Sequence, residues 1–248
     1  MNTSRSPKKR LDLLLLERGL AETRQKAQAI VLAGHVLVNR QRIDKAGAII
    51  PLDANIEITG AQSKFVSRGG LKLEGALGDF AIDPAGKICL DAGSSTGGFT
   101  DCLLQHGASR VYALDVTTNQ LAWKLQRDPR IIQIKANARY LESASLPEAP
   151  SLVTVDLSFI SVSKVLPRLV TVTAPGADFL ILVKPQFELE RADIGRGGIV
   201  REHALHERAI ENVRQAAIAA GMSVIAVQPS RITGAEGNRE FFLHARLN

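Results

Sequence analysis

Five short apolar runs, at residues 87–91, 111–115, 131–135, 152–156 and 178–183, are separated by segments long enough to hold helices. A run with no polar alternation reads as a strand buried on both faces, and strands joined through helices must be parallel. Three of the runs close on an acid: Asp91, Asp115 and Asp156. Residues 202–220 form the longest helical pattern, and two late strands are expected at 223–228 and 240–245. Strands alternating with helices imply a mostly parallel, doubly wound sheet, whose ligands bind across the carboxyl ends of the strands.

Four charged residues interrupt apolar surroundings. They stand in Ser-Arg-Gly-Gly-Leu-Lys72-Leu, Val-Thr-Val-Asp156-Leu-Ser-Phe, Leu-Ile-Leu-Val-Lys184-Pro-Gln-Phe and Asn-Arg-Glu240-Phe-Phe-Leu. A charge beside a core strand is costly unless it is paired. Two cations and two anions compensate one another if the fold gathers them, and such a cluster suits removal of a proton from a weakly acidic hydroxyl. Lys184 emerges from a buried strand, so desolvation lowers its pKa while neighbouring carboxylates raise it.

The formal charge is +6 and the sequence pI about 9.5, which points to an anionic partner. The excess lies at one end: residues 1–60 hold ten Lys or Arg against six Asp or Glu, and the remainder 21 against 19. This stretch reads as a helix over 10–18 closed by Gly19, a helix over 24–33 capped by Thr23, and strands at 35–38 and 56–58 around a turn at 39–41. Its cations are Lys8, Lys9, Arg10, Arg18, Arg24, Lys26, Arg40, Arg42 and Lys45, several at helix starts or at the turn. With 4% aromatic residues, base-stacking platforms rich in Phe and Tyr are not expected.

After the strand at 87–91 comes Ala92-Gly93-Ser-Ser-Thr-Gly97-Gly98-Phe99-Thr100. Glycines there let the backbone turn tightly and approach a ligand, with a helix N-terminus behind. Asp115, at the end of the next strand, is placed to accept hydrogen bonds from ribose hydroxyls. The spacing misses Gly-x-Gly-x-x-Gly, and there is no Gly-Lys-Ser/Thr phosphate loop. A structural turn and a nucleotide-type ligand both remain open on the glycines alone.

Two resemblances narrow this. Arg10-Leu-Asp-Leu-Leu-Leu-Leu-Glu-Arg18-Gly-Leu, Thr23-Arg24-Gln-Lys26-Ala-Gln-Ala-Ile and Gly34-His-Val-Leu-Val-Asn39 resemble the S4-type RNA-binding domain. Asp91-Ala-Gly-Ser-Ser-Thr-Gly-Gly-Phe-Thr100 looks like the first motif of FtsJ-like methyltransferases, with Thr96 where Pro is frequent. The four charged strings follow in the order that class requires, and the whole chain is similar to the TlyA family, some of whose members carry a haemolysin label. The resemblance implies an S4-type α+β domain over 1–60, a linker at 61–66, and a Rossmann-like class I methyltransferase sheet with its last strand antiparallel over 67–248. It implies an enzyme that uses S-adenosylmethionine to methylate the ribose 2′-hydroxyl of cytidine in ribosomal RNA. Lys72, Asp156, Lys184 and Glu240 would form a catalytic tetrad. Asp91, Gly93, Ser94, Thr96, Gly97, Gly98, Asp115, Asn137 and Asp156 would hold the cofactor. The nine N-terminal cations, with Arg68, would contact RNA, as ribosomal RNA or a ribosomal subunit. Arg68 and Arg139 serve equally well, on sequence alone, as phosphate contacts or loop braces.

Cys89, Cys102 and the five histidines have no metal-ligand spacing, so no metal is expected and the thiols read as buried and reduced. His203 and His206 read as surface residues. No run is long enough to span a bilayer and no signal peptide is evident, which makes the cytoplasm the expected compartment and a lytic protein a poor rival. An inactive RNA-binding assembly factor and a pseudouridine synthase are the other rivals; the first would not need an intact tetrad, and the second would not use this glycine loop. Residues 188–200, with Gly195, Gly197 and Gly198, are expected to form a mobile loop. The connector carries Ser63-Lys-Phe-Val66 where some relatives have tryptophan. The end at Asn248 leans the reading towards the large subunit alone. The target nucleotide and the oligomeric state are not set by the sequence.

Overall fold

A computed structural model describes residues 7–21, 23–59, 64–117, 120–234 and 237–248, and the chain divides into two compact units, 1–62 and 63–248. Residues 60–63 of the connector lie outside the described residues.

In the first unit the order is β1 (Lys8–Arg10), α1 (Leu11–Glu17), α2 (Arg24–Leu32), β2 (Val36–Val38), β3 (Gln41–Arg42), β4 (Ile49–Pro51) and β5 (Ile56–Ile58). β2 lies between β3 and β5, and β1 pairs antiparallel with β4. Thr23 caps α2 as expected, its hydroxyl accepting from the Lys26 N–H at 3.1 Å. Leu11, Leu14 and Leu15 of α1 pack with Ala27 and Val31 of α2 and Val36 of β2 into one small core. The β1–β4 pairing was not read from the sequence, because strands of three residues are too short to give a periodic signal.

The second unit holds α3 (Arg68–Asp79), β6 (Ile88–Ala92), α4 (Gly98–Gln105), β7 (Arg110–Asp115), α5 (Trp123–Gln126), β8 (Ile131–Lys135), β9 (Leu152–Val155), α6 (Leu166–Leu169), β10 (Asp178–Val183), α7 (Pro185–Glu188), α8 (His203–Ala219), β11 (Met222–Pro229) and β12 (Phe241–Leu247). Seven strands form one sheet in the order β11-β12-β10-β9-β6-β7-β8. β12 runs antiparallel to both β10 and β11, and the remaining pairs are parallel. Phe179, Ile181 and Val183 of β10 enter one core cluster and Leu180 and Leu182 the other. Both sheet faces are therefore covered, which is why the run shows no polar alternation. Strand order reverses between β6 and β9, and the crevice at their carboxyl ends is the expected ligand position.

Residues 188–200, expected as a mobile loop, are tied at both ends. The Glu188 side chain accepts from Ser161 and Val162, and the Val200 N–H donates to Asn238 Oδ1 at 2.9 Å. His206 is not the surface residue expected. It lies on the inner face of α8, 4% exposed, and donates from Nε2 to the Val200 carbonyl at 2.9 Å.

Candidate active site

Sheet register brings the tetrad together. Val183 of β10 pairs with Phe241 of β12, so Lys184 and Glu240, the next residues outward, leave the sheet at the same edge. Ile181 pairs with Val155 of β9, which puts Asp156 one strand further along that edge. Lys72 arrives on the buried side of α3. The four form two ion pairs: Lys72 Nζ to Glu240 Oε2 at 2.5 Å and Lys184 Nζ to Asp156 Oδ1 at 2.6 Å. Lys184 also donates to Ser158 Oγ at 3.0 Å. Asp156 Oδ1 is buried and receives no hydrogen bond, so its contact with the ammonium lies outside hydrogen-bond geometry and is one of charge alone. Both lysines are 9% exposed and Glu240 4%. Burial of that degree keeps the charges only because each has its counter-ion.

Two cavities flank Asp156. One, of about 360 Å³, is lined by Arg68, Lys72, Gly93, Ser94, Thr96, Gly98 and Asp156 among others. The second, of about 520 Å³, is lined by Gly93, Ser95, Asp115, Asn137, Asp156 and Ser158 among others. Gly93 has φ +92°, and a Cβ there would collide with the Asp156 carbonyl. At Gly98 a Cβ would strike Ser67 Oγ and press on the Gly70 nitrogen, so the N-termini of α3 and α4 meet beside the smaller cavity. Asp115 accepts from the Ser95 N–H at 2.9 Å and the Thr117 N–H at 3.0 Å, one on each oxygen.

Asp91 and Gly97 line neither cavity. Asp91 is wholly buried, accepting from Thr100 Oγ1 at 2.6 Å and Thr154 Oγ1 at 3.1 Å. Burial is the main cause that pushes its carboxyl up to about 7, with Asp156 adding to it and the two threonines opposing it. It braces the loop from beneath. Sequence reading missed Ser95, Ser158 and Thr233 as cavity residues. Ser158 could have been found two places after Asp156; Thr233 carries no signal. Phe159 was also passed over: it is 92% exposed, has φ +64°, and packs its ring 5.2 Å from that of Phe187.

Of the first unit's cations, Lys8, Lys26, Arg40, Arg42 and Lys45 are exposed. The side chains of four others have partners in the fold, Arg18 and Arg24 among them while also exposed. Arg10 and Arg24 donate to the wholly buried Asp12 at 2.9 Å and 3.0 Å, with Gln28 and the Leu13 N–H supplying further bonds. Chiefly through Arg10, these bonds hold the Asp12 carboxyl well below the usual range against the cost of burial. Arg18 donates to the Ala54 and Leu52 carbonyls at 2.8 Å and 2.5 Å. Lys9 pairs with Glu17 at 2.7 Å. In the second unit, Arg68 reaches the Thr233 carbonyl at 3.3 Å and Arg139 lies over the Tyr140 ring, 5.6 Å from its centroid.

Among the described residues no group of three His, Cys, Asp or Glu could hold a metal ion. Cys89 and Cys102 are buried, and burial pushes the Cys89 thiol up to about 12. No helix among the described residues is long and apolar enough to cross a membrane.

Residues 65–247 match the FtsJ-like methyltransferase model and residues 9–56 the S4 domain model. The chain is 47% identical to YqxC of Bacillus subtilis, across 96% of this chain and 86% of that one. It is 43% identical to the 16S/23S rRNA (cytidine-2′-O)-methyltransferase TlyA of Mycobacterium tuberculosis, across 96% and 89%. A solved structure from Streptococcus thermophilus that carries a hemolysin name superposes with a TM-score of 0.76 at 44% identity, covering 98% of this chain and 89% of its own.

Proposed function

Because the chain belongs to the TlyA family, FtsJ-like methyltransferases preceded by an S4 domain, we propose that it methylates the ribose 2′-hydroxyl of a cytidine in ribosomal RNA, with S-adenosylmethionine as donor. The observation that carries this reading is the Lys184–Asp156 pair, whose Asp156 lines the glycine-floored cavities although Lys184 itself lines neither, with the Lys72–Glu240 pair at the same sheet edge.

The cavities fit the cofactor by the chemistry of their walls. Asp115 presents a carboxylate to ribose hydroxyls, and Asn137 lines the same cavity. Gly93 and Gly98 let the glycine loop pack against the Asp156 backbone and the start of α3, which shapes the cavity walls. The adjoining N-termini of α3 and α4, with Arg68, favour a carboxylate in the smaller cavity. When bound, the sulfonium supplies an electrophilic methyl group.

Lys184 is assigned as the group that takes or steers the proton of the ribose hydroxyl. Lys72, a second cation at the site, helps hold the substrate oxygen. Asp156 orients Lys184 and faces the positive side of the donor. Glu240 holds Lys72. Alignment supplies most of the acceleration, and general-base assistance adds about 10²–10⁴-fold. Phe159, exposed beside this pair, offers a face on which a base can stack. Lys8, Lys26, Arg40, Arg42 and Lys45, among the exposed cations of the first unit, are assigned to RNA phosphates.

The test is methyl incorporation into ribosomal RNA from cells lacking the modification, with 2′-O-methyl sites mapped in both subunits. The wild-type protein should mark cytidine. Lys184→Ala should lose at least about a hundredfold in rate and still bind S-adenosylhomocysteine. Turnover retained in that variant removes the tetrad assignment, and methylation of a base in place of the ribose removes the reaction.

A further inference from the structure

Lys184 and Asp156 sit on two different loops, and a single ion pair does not fix two loops against each other. One loop follows β9 and carries Asp156, Ser158, Phe159 and Ser161; the other follows β10 and runs from Lys184 through α7 to Glu188. Glu188 crosses between them. Its Oε2 accepts from Ser161 Oγ at 2.6 Å and its Oε1 from the Val162 N–H at 2.9 Å. Its own carbonyl accepts from Asn212 Nδ2 of α8 at 3.0 Å, which anchors the carboxylate's base.

The side chain is 9% exposed and no Lys or Arg pairs with it among the described residues. Burial, opposed by the two hydrogen bonds, raises its pKa. An apolar side chain would fill this place at lower cost, so stability alone does not account for a carboxylate here. What it does supply is a two-point hold on the loop whose other end carries Asp156 and Ser158, the two partners of Lys184.

We infer that Glu188 is a positioning residue: by gripping Ser161 and Val162 it fixes the Asp156 loop against the Lys184 loop and so sets the aim of the Lys184 ammonium. The inference rests on the assignment of Lys184 to the chemistry. Misplacement of a reacting group by about 1 Å costs roughly a hundredfold in rate, which bounds the effect.

Four variants of the full chain test it: Glu188→Ala, Glu188→Gln, Ser161→Ala and, as control, Lys184→Ala. Each is measured for methylation kcat and KM on ribosomal RNA across pH, for S-adenosylhomocysteine affinity by calorimetry, and for thermal stability. Glu188→Ala should lower kcat by about ten- to a hundredfold and shift the pH profile, with cofactor affinity and KM changed less than about threefold. Ser161→Ala should show the same pattern, weaker. Glu188→Gln keeps an oxygen for the Val162 N–H and an amide to donate to Ser161 Oγ, and should restore most of the rate. If Glu188→Ala does not fold, the other two substitutions decide on the same pattern.

The inference is overturned by a kcat within about twofold of wild type in Glu188→Ala or by cofactor affinity that falls in step with kcat. It also fails if Glu188→Gln is as damaged as Glu188→Ala, because the charge would then be acting in the chemistry. Should Lys184→Ala keep its turnover, it is the assignment of the site that fails. An inactive Lys184→Ala beside an unaffected Glu188→Ala sinks the positioning role alone.

Discussion

Lys72 and Glu240 lie 168 residues apart in sequence and meet at 2.5 Å, with side chains 11% and 3% exposed. The antiparallel return of β12 beside β10 makes the meeting possible. Removing one member of a buried pair strands the other charge, at about 3–5 kcal/mol. Glu240→Ala should therefore destabilise the protein by that order in urea titration, and the double replacement Lys72→Met with Glu240→Leu should recover much of the loss while remaining inactive. A Glu240→Ala protein as stable as wild type would mean that Lys72 finds another counter-ion.

Asp115 is held by two backbone N–H groups and lines the larger of the two cavities, where its carboxylate is the acid other than Asp156. Asp115→Ala should weaken S-adenosylhomocysteine binding about tenfold or more, the worth of a charge-assisted hydrogen bond of about 1.5–3 kcal/mol, with kcat at saturating cofactor little changed. Calorimetry checks the first and saturation kinetics the second. Unaltered affinity would take the ribose contact away from Asp115.

Much of this arrangement was legible in the sequence, for reasons that can be named. The runs at 111–115 and 178–183 became β7 and β10 nearly to the residue, because a strand covered on both faces must be continuously apolar. The tetrad was readable because a charge beside such a strand needs a partner. Pairing was not readable: that Lys72 joins Glu240 and Lys184 joins Asp156 follows from sheet register, which no local pattern carries. Arg10 and Arg24 also donate to buried Asp12, and Arg18 to the Leu52 and Ala54 carbonyls; the sequence does not show these partners, because an arginine's charge looks alike whether it faces solvent or a buried acceptor. His206 was misplaced because one histidine on a helix does not say which face turns inward.

That division among the first unit's cations has its own consequence. Replacing Lys8, Arg40 or Lys45 should weaken RNA binding and lower the slope of log affinity against log salt by about one per phosphate contact, with the unit's stability unchanged. Arg24→Ala should instead destabilise the unit, since it removes a donor from buried Asp12. Filter binding over a salt series, set beside thermal melts, separates the two classes. A salt slope indifferent to all three exposed cations would move the RNA contact to another face.

Asp91 gives stability a distinctive pH dependence. Its carboxyl goes from 3.8 when unfolded to about 7 when folded, so the folded state favours the protonated form. The contribution is complete below the unfolded value and is lost as pH rises through about 7. A shift of about three units corresponds to roughly 4 kcal/mol between those limits. Asp12 behaves oppositely: its lowered pKa gives stability that is present above the unfolded value and lost only in stronger acid, so it does not vary between pH 5 and 8. Over that window Asp91→Asn, whose amide still fits between Thr100 and Thr154, should flatten the decline of stability with pH. Urea unfolding followed by the single tryptophan, Trp123, reads this in the second unit. Parallel curves for wild type and Asp91→Asn would place the raised proton affinity elsewhere.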